Sequence, residues 1–290
     1  MTDNSPIRLL DEASRGDGQV TGSPPAGYVR RRVDLPVRED LLRIELDVAE
    51  ESKARLVDAV GVIRRIDDRV VSSCLAQAAS EGVVPFCRMG CHPCCESYLL
   101  MLSPAEMYYQ MELLDNLEAS LATGVRAWFA RFADGIRCSG LLEKLQNLTP
   151  KARPLDIIQE WFNRQDDRAC PFLNATEGVC RIYEDRFICC REFHSLRPPA
   201  DCACHQTSRL AITPSLLDVP CDLEARLTGE PVGAITMPDL QLWYEIRTAE
   251  AARTWPAVLV AEELLACLAD AAAQSQRLRA SVTVDPPAGS

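Results

Sequence analysis

All three histidines of this chain, and eleven of its fourteen cysteines, fall between Cys87 and His205. Thiolates and imidazoles are the soft and borderline ligands of zinc, iron and iron–sulfur centres. Their concentration in one segment points to a bound metal. The first block is Cys87-Arg-Met-Gly-Cys91-His-Pro-Cys94-Cys95. Cys87, Cys91 and Cys94 would share one face of a helix, but Pro93 and Gly90 favour a turn or knuckle. In a turn, free backbone N–H groups can point at the sulfurs. Side chains of the adjacent pair Cys94-Cys95 diverge in extended chain, so the two serve different centres or one stands outside the ligand set. His92, inside this block, reads as a neighbour of ligands rather than a ligand.

The second block comprises Cys170-Pro-Phe-Leu, Cys180-Arg-Ile-Tyr-Glu-Asp-Arg and Cys189-Cys190-Arg-Glu-Phe. Gly178 allows a turn before Cys180. Arg181, Arg186 and Arg191 flank these cysteines, and clustered thiolates call for nearby positive charge. Surface pairing with Glu184, Asp185 and Glu192 accounts for them equally well, except for Arg191, which we assign to the site's surroundings. A third cluster, Cys202-Ala-Cys204-His205, adds ligands to either block or forms a flexible or redox-active pair. His194 and His205 read equally as loop histidines or as ligands.

These spaced motifs, in this order, resemble the YkgJ-type cysteine-cluster proteins, a family described as zinc- or iron-chelating. The resemblance spans roughly residues 83–205. It implies a ligand set of Cys87, Cys91, Cys94, Cys95, Cys170, Cys180 and Cys190. Cys189, Cys202, Cys204, His205 and Arg191 stand beside that set, as further ligands or as its surroundings. Two departures are visible: Phe187 follows Arg186 where the family has proline, and Cys189 is an addition. Seven family cysteines exceed the four that one closed zinc takes. Two zinc sites, or a cluster with additional thiols, would use more of them. The heavy excess of cysteine over histidine favours an iron–sulfur centre over zinc.

The spacing of Cys87, Cys91 and Cys94 is also that of radical S-adenosylmethionine enzymes. Those need alternating strands and helices, and this chain shows no such alternation. A relation to flagellin lysine methylases, which share a related cysteine cluster, implies an iron–sulfur-dependent enzyme that modifies another protein, or an auxiliary of one. No Gly-x-Gly-x-x-Gly and no phosphate-binding Gly-Lys-Ser/Thr loop supports it. A third class is a purely structural zinc protein that mediates protein interactions. Whether the chain is an enzyme stays open at this level, as do its substrate and oligomeric state.

The elements that must position these residues read as mainly α-helical. Residues 1–36 read as a flexible leader, polar and rich in Asp, Ser, Gly and Pro, with Arg30-Arg31-Arg32 as a solvated arm. Residues 37–82 form an N-terminal helical segment: apolar residues from Leu41 to Cys74 predict a helix over 38–79. Residues 83–207 are the cysteine-cluster domain, 208–280 a C-terminal helical segment and 281–290 a loose tail. Within the cluster domain, Ser103-Pro104-Ala105-Glu106 is a capping box that starts a helix running to about Ala122. Others cover 125–148, where Gly135 is a candidate break, and the stretch after Pro154. Residues 169–207 have no sustained period and need something other than packing to organise them. Further helices are expected over 238–252 and 256–277. Cys74 and Cys267 lie on apolar stripes and read as core thiols, and Cys138 mostly as helix packing. The fold class expected is therefore helices bracing an irregular cysteine-rich metal-binding core.

The charge of −11 disfavours nucleic acid as a partner. The N-terminal stretch lacks the apolar region of a secretory signal. The most apolar run, 257–273, is interrupted by Glu262, Glu263 and Asp270, so no membrane span is expected. A cytoplasmic protein with reduced thiols follows, whose partner, if any, is another protein.

Overall fold

A computed structural model describes residues 5–10, 23–146, 155–204 and 208–281. The described chain is mainly helical. It begins with a small sheet: β1 (Ile7–Leu9), β2 (Tyr28–Val37) and β3 (Asp40–Ala49) pair antiparallel in the order β1-β3-β2. This corrects two expectations. The region taken as a flexible leader contains β1 and most of β2. The helix expected from Arg38 starts only at Leu56.

The physical reason is alternation. Ile44, Leu46 and Val48 share one face of β3, Leu35 and Val37 share one face of β2, and all five are fully buried. Arg43, Glu45 and Asp47 fill the intervening positions. That period of two is a strand's, although the run Leu41-Leu42 also fits a helix. Arg38, at φ 52°, opens the turn between the strands. Pro36 is tolerated because β2 is an edge strand, where one missing N–H leaves the central ladder intact. The arginine run is no free arm. Arg30 grips Asp47 with both Nε, at 2.8 Å, and Nη2, at 3.0 Å, and Arg31 pairs with Glu262.

After β4 (Lys53–Ala54) comes α1 (Leu56–Ser80), whose buried residues include Val60, Ile63, Ile66, Val70 and Cys74. Gly82, at φ +79°, follows its end. The cysteine region then runs through α2 (Pro93–Ser97), β5 (Met101–Leu102), α3 (Pro104–Leu114), α4 (Ala119–Cys138), α5 (Leu141–Gln146) and α6 (Leu155–Asn163). The capping box at Ser103 is present: its Oγ accepts the Glu106 amide at 3.0 Å, and the Glu106 carboxylate accepts the Ser103 amide at 3.1 Å. The helix it starts ends at Leu114, earlier than expected, and Glu118 caps the next one by accepting the Ser120 amide at 2.9 Å. Gly135 does not break α4. A Cβ there would lie 3.0 Å from the Trp161 ring, so the glycine lets α4 and α6 approach closely.

Residues 169–204 are short pieces: β6 (Leu173–Asn174), β7 (Val179–Cys180), a 3-10 turn at Tyr183–Asp185, α7 (Ile188–Arg191) and α8 (Pro199–Ala203). Then follow α9 (Val219–Thr228), β8 (Ile235–Thr236), a 3-10 turn at Met237–Asp239, α10 (Leu240–Ile246), α11 (Thr248–Ala251), β9 (Trp255–Pro256) and α12 (Ala257–Ser281). Two-residue ladders join β4 to β9, β5 to β8 and β6 to β7. The main core gathers the sheet, α1, α3, α9 and α12, and the second cysteine block packs against it. A smaller cluster joins Ala133, Ile136, Leu141, Ile158 and Leu242. The tail from 282 and His205 lie outside the described residues. Among the described residues, no helix is long and apolar enough to cross a membrane.

Candidate metal centre

The first cysteine block is a turn followed by a one-turn helix. Gly90, at φ +88°, lets the Cys91 amide fold back onto the Arg88 carbonyl at 2.9 Å. Pro93 does not prevent a helix; it begins one. At the first position of α2 its missing N–H costs nothing. Cys94 and Cys95 therefore sit in the first turn of α2, where consecutive side chains point about 100° apart.

The second block is held by the core. Glu106 is buried, and its second carboxylate oxygen accepts the Ile188 amide at 2.9 Å, capping α7, which carries Cys189 and Cys190. From the same helix, the Tyr109 hydroxyl donates to Asp185 at 2.6 Å and Gln110 donates to the Asp185 carbonyl at 2.9 Å. Thus α3 fixes the loop that delivers Cys190. Cys180 lies on β7, opposite Leu173. The Leu173 amide in turn donates to the Cys170 carbonyl at 3.0 Å, so Cys170 and Cys180 flank one tight hairpin.

The two blocks meet. The Cys170 amide donates to the Cys95 carbonyl at 2.6 Å. A Cβ on Gly178 would lie 2.7 Å from Nδ1 of His92, so the β6–β7 turn presses directly on the first block. Cys87, Cys91, Cys94, Cys95, Cys170, Cys180, Cys189 and Cys190 all line one cavity, together with His92, His194 and Arg186. Phe172, Phe187, Phe193 and Tyr98 supply much of its apolar wall. None of these cysteines is in a disulfide.

Burial and mutual proximity push up the thiols of Cys87, Cys91, Cys94, Cys170, Cys180 and Cys190. Burial pushes Cys91 up to about 11, with Cys87, Cys94 and Cys202 adding to the effect. Contact with Cys95, then burial, raises Cys94. Contact with Cys189, then burial, raises Cys190 well above the ordinary thiol value. Burial raises Cys170, and Cys190 adds to it. Groups that favour the thiolate are also in place. The Ser195 amide donates to the Cys87 sulfur at 3.1 Å. The Phe172 and Ile182 amides act likewise on Cys170 and Cys180. The Arg186 guanidinium, stacked 4.1 Å over Tyr183, favours the charged forms of Cys180 and Cys190.

The other candidates lie as follows. Arg191 does not line the cavity. It is buried behind α7, bonded to Asp68, to the Glu184 carbonyl and, through Nε at 3.0 Å, to the Arg186 carbonyl. It therefore braces the loop that carries Arg186. Arg181 is exposed. Cys202 is buried, and its thiol donates to Ser195 Oγ at 3.2 Å. Cys204 is exposed. Cys138 is exposed on α4, and Cys74, Cys221 and Cys267 are buried in the core. Ser195 had no signal in the sequence: its role comes from bridging two segments, not from spacing. His194 is half-buried in the cavity wall. Burial lowers its pKa, and a backbone hydrogen bond at Arg191 works against that shift.

This donor set fits a thiolate-bound metal: free thiols from distant segments face one cavity, with the half-buried His194 imidazole among them. Among the described residues, no three Cys, His, Asp or Glu groups already stand as a preset ligand group.

Residues 86–211 match the model of a family named CxxCxxCC, described as "Putative zinc- or iron-chelating domain". No curated protein and no solved structure matches the chain.

Proposed function

We propose that the chain binds zinc or iron through the thiolates of the cavity between α2 and α7, a reading supported by the match of residues 86–211 to a zinc- or iron-chelating family model. One observation carries the reading: sulfurs from both cysteine blocks, together with His194, line a single cavity. Bound metal would cross-link the irregular 169–204 stretch to the first block. Structural zinc is worth roughly 10–16 kcal/mol of apparent binding energy, which would add to the packing of Phe172, Ile182, Phe187 and Ile188 that already anchors this stretch. The chain's own residues do the rest. Glu106 and the α3 side chains hold α7 in place. The Ser195, Phe172 and Ile182 amides and Arg186 stabilise negative sulfur. The aromatic wall limits water.

The test is purification without oxygen, followed by metal analysis and a visible spectrum. A colourless protein with stoichiometric zinc identifies a zinc centre. A brown protein with labile sulfide identifies an iron–sulfur centre, the form favoured by the excess of cysteine over histidine. Absence of both zinc and iron from protein expressed in supplemented medium overturns the reading.

A further inference from the structure

The stretch from Val83 to Gly90, which leads into the first cysteine block, has two sides. The inner side is accounted for. Val83 packs against the main core, the Phe86 amide donates to the Ser195 carbonyl at 2.8 Å, and Cys87 faces the cavity. Exposure alternates from Val83 to Arg88, so the intervening side chains point away from the fold. Val84 is 72% exposed and Phe86 48%, and Met89, in the turn that follows, is 64% exposed. Singly scattered apolar residues on a surface are ordinary. Here three of the nine large exposed ones among the described residues fall within six positions, which marks a contact surface.

The charge around them is one-sided. Arg88, exposed between Phe86 and Met89, also lines the cavity. Ser195 joins Phe86 on one side to Arg209 on the other, and the Arg209 guanidinium lies 4.0 Å from the centroid of Phe193 in the cavity wall. Neither arginine pairs with a carboxylate among the described residues, whereas Arg197 is held by Asp201. In a chain of net charge −11 this is a local surplus of positive charge.

We propose that this surface docks a segment of a partner protein that carries bulky apolar side chains together with Asp or Glu. The apolar groups would cover Val84, Phe86 and Met89. The carboxylates would meet Arg88 and Arg209, whose planar guanidinium groups match them in shape and charge. An anionic bilayer or a nucleic acid would face the charge of the whole chain, and a second copy would bring another −11. A short segment meets only the patch, because charges farther off are screened. Since Arg88 and Gly90 belong both to this surface and to the cavity wall, the docked segment would lie beside the cysteines. The proposal stands on exposure and charge and does not require bound metal.

The experiment immobilises the full chain under reductant and selects binders from random short peptides displayed on phage. Selected peptides, synthesised and measured by fluorescence anisotropy, should combine Asp or Glu with Leu, Phe or Trp, and high salt should weaken them. Phe86→Asp, Met89→Asp and Arg88→Glu should each weaken binding by about tenfold or more. Ile246→Ser, at an exposed apolar residue of α10, should leave it unchanged. Circular dichroism of each variant reports its folding. No enrichment of such peptides, or unaltered affinity in folded Phe86→Asp and Met89→Asp variants, overturns the proposal. It is equally overturned if the unaltered chain, but not these variants, binds phosphatidylglycerol–phosphatidylcholine vesicles or dimerises with concentration, since the patch then belongs to a bilayer or to a second copy.

Discussion

The backbone amide of Cys170 donates to the carbonyl of Cys95 at 2.6 Å, although α3, α4, α5 and α6 all lie between them in the chain. This bond is the seam of the molecule. It fixes the spacing of the two cysteine blocks before any sulfur takes part.

Replacing Cys91 or Cys180 with Ser should lower bound metal, because each removes a cavity sulfur. Replacing Cys267, 1% exposed within the core, should leave metal content unchanged. Elemental analysis of the three purified variants decides it. Equal metal in all three would remove the assignment of these sulfurs.

Gly178→Ala should destabilise the protein more than Gly229→Ala. Both glycines are left-handed, at φ +68° and +76°. Either alanine costs about 1–2 kcal/mol for that conformation. Only at Gly178 does the new methyl also meet a neighbour, His92 Nδ1 at 2.7 Å, whereas Gly229 has open space. Urea denaturation of both variants measures the difference, which should be about 1 kcal/mol or more and should be accompanied by weaker metal binding at Gly178 alone.

Glu106→Ala should remove two caps at once, from α3 and from α7. Each cap is worth about 0.5–2 kcal/mol. Ser103→Ala should remove only the first. Metal affinity should therefore fall for Glu106→Ala and stay near normal for Ser103→Ala, measured by competition with a chromogenic chelator. Equal affinities would mean that α7 holds Cys190 without this support.

Metal affinity should rise steeply with pH, since binding displaces protons from thiols held above their ordinary value. The metal-free protein should behave oppositely in alkali. Burial raises Cys91 from 9.0 to about 11, so the folded state keeps its proton more tightly than the unfolded state. Stability is then full below pH 9 and declines as pH rises towards 11. Denaturation midpoints in chelator at pH 8 and pH 10.5 test the sign, and a higher midpoint at pH 10.5 would contradict it.

The cysteine motifs were legible because ligand spacing is local, and so was the Ser103 capping box. The hairpin of β2 and β3 was not. Leu41, Leu42, Ile44, Leu46 and Val48 satisfy a helical period at their start and a strand period over their length, and Pro36 marked a boundary only until β2 proved to be an edge strand. Gly135 was ambiguous for a similar reason: whether a glycine breaks a helix or admits a neighbour depends on Trp161, which is distant in sequence. Ser195 had no pattern at all, because it acts by standing between Cys87 and Cys202.

Glu106 closes the start of α3 with one oxygen and the start of α7 with the other. The two helices therefore cannot fray separately. In hydrogen exchange the amides of Ser103 and Ile188 should open as one cooperative unit with the interior, not with the surrounding coil. A sulfur carried on such a segment would share the slow opening of that unit, and an ion bound there would be released on that same slow timescale.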